Sequence, residues 1–137
     1  MKRATLYLTV ILAFALCPIL SQAQAMLRAN IPFDFTIGTA TMSSGVYDLS
    51  SAGNHTQLLR NPDTKSAAFV QSISLGNPNT IDLRKNVLVF HRYGSEYVLT
   101  EIWASGVGHQ VLQPKRTSKL AKSETPEKVI VAMAFSK

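Results

Sequence analysis

The chain has 137 residues, with 14 Lys or Arg against 8 Asp or Glu, and its formal net charge is +6. Hydrophobic residues make up 46% of it, a proportion that excludes an intrinsically disordered polymer. Cys17 is the only cysteine, so the chain has neither an internal disulfide nor a zinc site built from several thiolates.

The N-terminal end has the composition of a secretory signal peptide. Two basic residues open it, residues 4–16 are apolar apart from two threonines, and Pro18 breaks the run. The apolar run is shorter than the roughly 20 residues that a membrane-spanning helix needs. Ala23 and Ala25 are small residues at suitable cleavage positions. We therefore predict a signal peptide over residues 1–25, with cleavage after one of these two alanines.

Cleavage would leave residues 26–137 as one domain, exported to the periplasm or beyond the cell. Cys17 would be removed, so this domain would have no cysteine nucleophile and no thiolate ligand. Charges balance over residues 26–112, with six basic and six acidic side chains, whereas residues 113–137 have six basic and two acidic ones. Any attraction to polyanions is therefore expected at the C-terminal end.

The first half of the domain is rich in short strand patterns. Alternating apolar residues predict a strand over residues 30–37, with one buried face. Pro32 cannot donate to a strand ladder, so we expect it at a sheet edge or at the start of the strand. Such an N-terminal edge could also pair with another chain. Further strands are predicted at residues 40–42, 46–49, 57–60 and 67–73, and a turn at residues 76–79.

The strongest β-signal is a hairpin at Gly94 and Ser95, because a glycine in the first position is typical of a type II′ turn. Pairing Tyr93 with Glu96 predicts a register that ends with Val87 opposite Ile102. Both faces of the hairpin are then apolar, which indicates the centre of a closed or doubly covered sheet. The predicted faces are Val87, Val89, Val98 and Ile102 on one side, and Leu88, Phe90, Tyr97, Leu99 and Trp103 on the other.

The C-terminal end combines a basic segment with a final strand. Residues 113–127 form a basic linker that contains about two predicted helical turns, with Pro114 at the first helical position. Residues 128–135 are apolar on both faces, which predicts a buried strand that pairs near the hairpin. The whole pattern predicts an all-β domain: a single small sandwich or barrel of about seven or eight short antiparallel strands, with a short helical segment before the last strand.

Four strings of the domain resemble a family of small exported bacterial β-domain proteins of unknown function. The resemblance covers most of residues 26–137 and implies a signal peptide followed by a compact β-domain. It implies no activity, cofactor or catalytic residue. The strings are Ala-Asn-Ile-Pro-Phe-Asp-Phe-Thr-Ile-Gly at residues 29–38, Gly-Val-Tyr at 45–47, Val-Phe-His-Arg-Tyr-Gly at 89–94 and Glu-Ile-Trp at 101–103.

Residue patterns for catalysis and metal binding are weak. His55, His91 and His109 are not at metal-ligand spacing, and we interpret His91 as a structural residue in the hairpin. The chain contains no nucleophile-elbow motif and no phosphate-binding glycine loop. We therefore predict no catalytic residue, no metal site and no cofactor.

The basic residues Lys115, Arg116, Lys119 and Lys122 form the candidate binding site. Outside the cytoplasm their expected partner is an anionic glycan or an envelope surface, and a solvated linker is the competing interpretation. Nucleic acid is not expected, because no aromatic residues alternate with the charges. The segment also has too little apolar surface to insert into a membrane.

These observations favour a non-catalytic exported β-domain with an interaction or structural role at the envelope or outside the cell. The sequence does not identify a protein partner. Two alternatives stay open: a β-barrel that binds a small apolar ligand, and a hydrolase that acts on an extracellular polymer. Large residues such as Phe33, Phe35 and Phe90 argue against the ligand carrier, because they are big enough to fill a small barrel.

Overall fold

The computed structural model describes residues 26–75 and 85–136, so the predicted signal peptide at 1–25 and the predicted turn at 76–79 lie outside the described residues. No helix within these two ranges is long and apolar enough to cross a membrane. The elements are β1 (Leu27–Ile31), β2 (Phe35–Ile37), β3 (Ala40–Met42), β4 (Gly45–Gly53), β5 (Thr56–Arg60), β6 (Ala67–Leu75), β7 (Val87–Tyr93), β8 (Glu96–Ala104), β9 (Val107–Val111), α1 (Lys115–Ser123) and β10 (Glu127–Phe135).

Eight of the strands close into an antiparallel barrel. Around the barrel the order is β8, β7, β10, β1, β4, β5, β6, β9 and back to β8. The remaining two strands form a hairpin, in which β2 joins β8 in parallel through Thr36 opposite Val98. The predicted all-β class and the short helix before the last strand are confirmed, and of the two predicted architectures the chain adopts the barrel.

Apolar side chains fill the middle of the barrel. Phe35 of β2 packs into this core, with ring centroids 5.3 Å from Tyr47 and 5.4 Å from Phe90 in edge-to-face geometry. The Tyr47 hydroxyl donates to the carbonyl of Ser43 at 2.7 Å, so this buried phenol is satisfied. The other interior side chains that are fully buried are Ile31, Leu59, Val70, Leu88, Leu99 and Ile102.

The predicted strand over residues 30–37 is wrong in its bounds. Pro32 has no N–H for a ladder, and the chain divides around it into β1 and β2. The carboxylate of Asp34 accepts the backbone N–H of Ser44 at 2.7 Å and fixes the bend. The predicted free edge is also wrong, because β1 pairs with β10 on one side and β4 on the other.

The predicted hairpin register holds near the turn and fails farther away. Tyr93 faces Glu96 and Phe90 faces Leu99 as predicted, but a β-bulge then shifts β8 by one residue. Ile102 therefore turns into the barrel, and Trp103 turns outward to pack with Val87, Val89 and Leu75. The predicted positions of Ile102 and Trp103 are exchanged by this single extra residue.

The last strand pairs with β7 of the hairpin, as predicted, but it is not buried on both faces. Met133 is buried against the core, whereas Ile130 is 56% exposed on the opposite face. β10 closes the barrel between β7 and β1, so only one of its faces is turned toward the interior.

Candidate functional site

Helix α1 begins directly after Pro114. The proline has extended backbone torsions, and its carbonyl accepts the N–H of Ser118 at 3.2 Å, which makes it the residue before the helix and not the first helical residue. At the other end the N–H of Glu124 donates to the carbonyl of Leu120 at 3.0 Å. The predicted helix is thus confirmed, with its start displaced by one residue.

A helix of nine residues is only marginally stable alone, so α1 depends on contacts with the barrel for its stability. The side-chain amide of Gln113 donates to the carbonyl of Leu99 at 2.8 Å and to that of Val111 at 3.3 Å. Thr117 is buried, so this side of α1 faces the barrel. The helix is therefore anchored on the barrel and presents its other side to solvent.

The four basic residues predicted from the sequence lie on the exposed side of α1. Lys115, Lys119 and Lys122 occur at positions i, i+4 and i+7, which places them in one row about 10 Å long. We call these three residues the lysine row. Arg116 lies beside it, 83% exposed, with its Nη2 3.9 Å from Glu96 Oε2, a distance at which an exposed ion pair contributes little.

The position of these charges is unfavourable for the helix itself. The first turn contains Lys115 and Arg116 and no acidic residue, although the N-terminal end of a helix favours negative charge. Each such cation opposes the helix dipole by about 0.3 to 1 kcal/mol at most. Helix stability therefore does not explain why Lys115 and Arg116 occupy the first turn. Residues that oppose the stability of their own element are expected where a surface has a function.

A cleft of about 200 Å³ lies between α1 and the outer face of β7, β8 and β9. His91, Tyr93, Glu101 and Gln110 line its barrel side. Ser118 lines its helix side, and the lysine row borders it, because Lys115 and Lys122 lie three residues before and four residues after Ser118.

The ionisable groups of the cleft are shielded from water to different degrees. Burial lowers the pKa of His91, an effect that Glu101 opposes and Lys128 reinforces. Burial raises the pKa of Tyr93. At neutral pH the imidazole is therefore neutral and the phenol protonated, so each can both donate and accept a hydrogen bond. Glu101 Oε2 accepts the indole N–H of Trp103 at 2.9 Å, which leaves the carboxylate with further acceptor capacity.

Sequence reasoning did not find this cleft. His91 and Tyr93 alternate along β7, which places them on one face, but only the bulge in β8 and the packing of α1 bring Glu101 and Ser118 toward them. The one usable signal was the change along β7 from four apolar residues to His-Arg-Tyr at its end, with His91 and Tyr93 on the same face.

Two of the other cavities on the surface formed by residues 26–75 and 85–136 have a mainly apolar character. A depression of about 380 Å³ lies beside exposed Phe69 and Leu112, and its lining has no ionisable side chain. One end of the barrel forms a cup of about 270 Å³, whose apolar lining includes Leu27, Leu49 and Phe135. His109 also lines the cup, and burial, together with nearby His55, lowers its pKa.

Within residues 26–75 and 85–136, no three His, Cys, Asp or Glu side chains come together as a group that could hold a metal ion. Comparison with known proteins gives no relative: no family model matches the chain, no curated protein matches it, and no solved structure matches it.

Proposed function

We propose that this chain is a non-catalytic exported domain that binds an anionic polymer, at the cell envelope or outside the cell, through the basic side of α1. The observation that carries the proposal is the lysine row with Arg116, four exposed cations on a helix that is anchored to a packed barrel. A support that is already ordered reduces the entropy that binding must overcome.

Export is inferred from the signal-peptide pattern of residues 1–25 and agrees with the thiol-free composition of residues 26–137. Outside the cytoplasm, polyanions include acidic polysaccharides and anionic lipid surfaces. The basic side of α1 lacks aromatic residues for base stacking, and Leu120, the only large apolar residue of the helix, is half-buried. These features favour an acidic polysaccharide as the partner.

The proposal is tested with the purified chain on immobilised polygalacturonate at 50 and 200 mM salt. Wild type should be retained at low salt, and the fourfold increase in salt should weaken retention roughly 20-fold or more, as counterion release predicts for three or four cationic contacts. The combined variant Lys115→Gln, Lys119→Gln and Lys122→Gln should lose retention. The matched control changes three other exposed cations by the same charge, Arg60→Gln, Lys65→Gln and Lys85→Gln.

Equal retention of the two triple variants would show that total charge and not the helix surface is responsible, and the proposal would be wrong. Retention of wild type only by anionic lipid vesicles would identify a membrane surface as the partner in place of a polysaccharide.

A second candidate function is the binding of a small apolar ligand in the cup at the barrel end. Phe135 is 59% exposed there and Val107 45% exposed, so two apolar side chains at the cup meet water. A neutral naphthylamine dye should gain fluorescence on binding, and Val107→Trp should block it. No fluorescence gain with wild type would exclude this candidate.

A further inference from the structure

The cleft beside α1 has a charge pattern that distinguishes it from the lysine row. Inside the cleft, Glu101 is the acidic group, and His91 and Tyr93 are neutral donors and acceptors. Outside it, Lys115 and Lys122 provide positive charge. A ligand that fits both regions has an uncharged, hydroxyl-bearing part for the cleft and an anionic substituent for the row.

The volume of the cleft limits the size of the part that enters. About 200 Å³ corresponds to roughly six or seven water molecules at 30 Å³ each, which is room for one sugar ring and not for an extended oligomer. Tyr93 adds an aromatic side chain to the lining, and Gln110 adds an exposed amide. Hydroxyl groups of a sugar both donate and accept, and they match neutral imidazole, phenol, amide and carboxylate partners.

The carboxylate of Glu101 also excludes a class of ligand. A phosphate group that entered the cleft would meet this carboxylate, and like charges at short range are unfavourable. Polyphosphate, whose units are charged and have no neutral hydroxyl-bearing ring, could therefore bind only along the lysine row. A polysaccharide with hydroxyls and spaced acidic groups can use both regions.

We propose that the cleft is a subsite for one unit of an acidic polysaccharide, with the ring hydroxyls bound by His91, Tyr93 and Glu101 and the acidic substituent against the lysine row. This inference rests on the proposed function, because it names the chemistry of the partner that α1 contacts. It predicts selectivity for saccharides over other polyanions, which the lysine row alone would not provide.

The test compares the affinities of two kinds of probe for the full chain by calorimetry at low salt. One kind is a set of acidic oligosaccharides, from polygalacturonate and hyaluronate, and the other is inorganic polyphosphate of similar total charge. Ala121→Leu narrows the mouth of the cleft without a change of charge, since Ala121 is exposed and lines the cleft. Ser123→Leu, on the same helix but outside the cleft lining, is the matched control.

We expect Ala121→Leu to weaken at least one acidic oligosaccharide about tenfold, while polyphosphate affinity stays within about twofold and Ser123→Leu changes neither. A second variant, Glu101→Gln, removes the negative charge of the cleft. It should weaken the same oligosaccharide and leave polyphosphate affinity equal or higher. Thermal unfolding of each variant checks that the fold is retained.

The possible failures are distinct. If Ala121→Leu and Glu101→Gln leave every oligosaccharide unaffected, or weaken polyphosphate equally, the subsite is wrong and the binding function of α1 stands. If wild type binds neither kind of probe, the proposed function is wrong and the subsite with it.

Discussion

The two faces of the β7–β8 hairpin differ in what they do. Leu88, Phe90 and Leu99 point into the barrel and are completely buried, whereas His91 and Glu101 on the outer face line the cleft beside α1. The same strands therefore contribute a core on one side and a binding surface on the other. The outer face also has a small buried cluster around Trp103. Changes to the inward side chains or to this cluster should therefore alter stability, whereas changes to the side chains that line the cleft should alter binding.

The largest effect is expected for Phe90→Ala. Phe90 is completely buried, with its ring centroid 5.1 Å from Phe33 and 5.4 Å from Phe35, so truncation leaves a cavity among aromatic rings. The free energy of unfolding should fall by about 3 to 5 kcal/mol. Urea denaturation measures it, and Phe69→Ala, at a residue 72% exposed, should cost no more than about 0.5 kcal/mol. Equal losses would contradict the assignment of Phe90 to the core and of Phe69, on β6, to the surface.

A smaller effect is expected outside the barrel for Gly108→Ala. Gly108 pairs with Trp103, and a Cβ atom at residue 108 would overlap the indole ring. The indole must move, which should cost about 1 to 3 kcal/mol and change the emission of the only tryptophan. In a Trp103→Leu background the same substitution should cost less, so a double-mutant cycle isolates the contact. An additive cycle would exclude it.

The position of Trp103 could not be predicted from the sequence, because it depends on the bulge in β8. Alternation and the Gly94–Ser95 pair were enough to place the hairpin and the turn-proximal half of its register, because those signals are local. The bulge was not predictable from alternation, since both faces are apolar and a one-residue shift leaves an equally apolar pattern. Thr100 is the extra residue of the bulge, and its hydroxyl donates to the carbonyl of Val89 at 3.1 Å.

The sequence also could not decide between a barrel and a sandwich, because local signals do not determine this. The choice depends on which distant strands meet, namely β1 with β10 and β8 with β9, and strand patterns do not encode those pairings. The basic residues of the site were visible because they are close in the chain. The cleft was not visible, because it lies between three consecutive strands and the helix that follows them. Its shape depends on the bulge in β8 and on the packing of α1 against the barrel, and alternation encodes neither of these.

Helix α1 forms one wall of the cleft and is held on the barrel by Gln113. The variant Gln113→Ala should weaken this attachment. The variant removes the two hydrogen bonds from the side-chain amide to barrel carbonyls. We expect a loss of about 1 kcal/mol in the free energy of unfolding and faster hydrogen exchange in the amides of α1. Hydrogen exchange of the amides in the β7–β8 core should become faster only to the extent set by the lower free energy of global unfolding. Unchanged exchange in α1 would show that Thr117 and the other helix contacts suffice.

The smallest effect expected is a pH dependence of stability that comes from the imidazoles outside the core. Burial lowers the pKa of both His91 and His109 from 6.5, so the folded state binds these protons less readily than the unfolded state. The unfolded state therefore gains protons first as the pH falls, and the free energy of unfolding should decrease from about pH 7 toward pH 5.

Removing both imidazoles should flatten this part of the profile. For His91 the relevant neighbours are Glu101, which favours the protonated form, and Lys128, which opposes it; for His109 the neighbour is His55. Carboxylates ordinarily titrate below this window, so the double variant His91→Gln and His109→Gln isolates the histidines. Urea denaturation at pH 7, 6 and 5 gives the slopes. If wild type were equally stable at pH 5 and 7, or more stable at pH 5, the burial of these two side chains on the outer face and at the barrel end would not control their protonation.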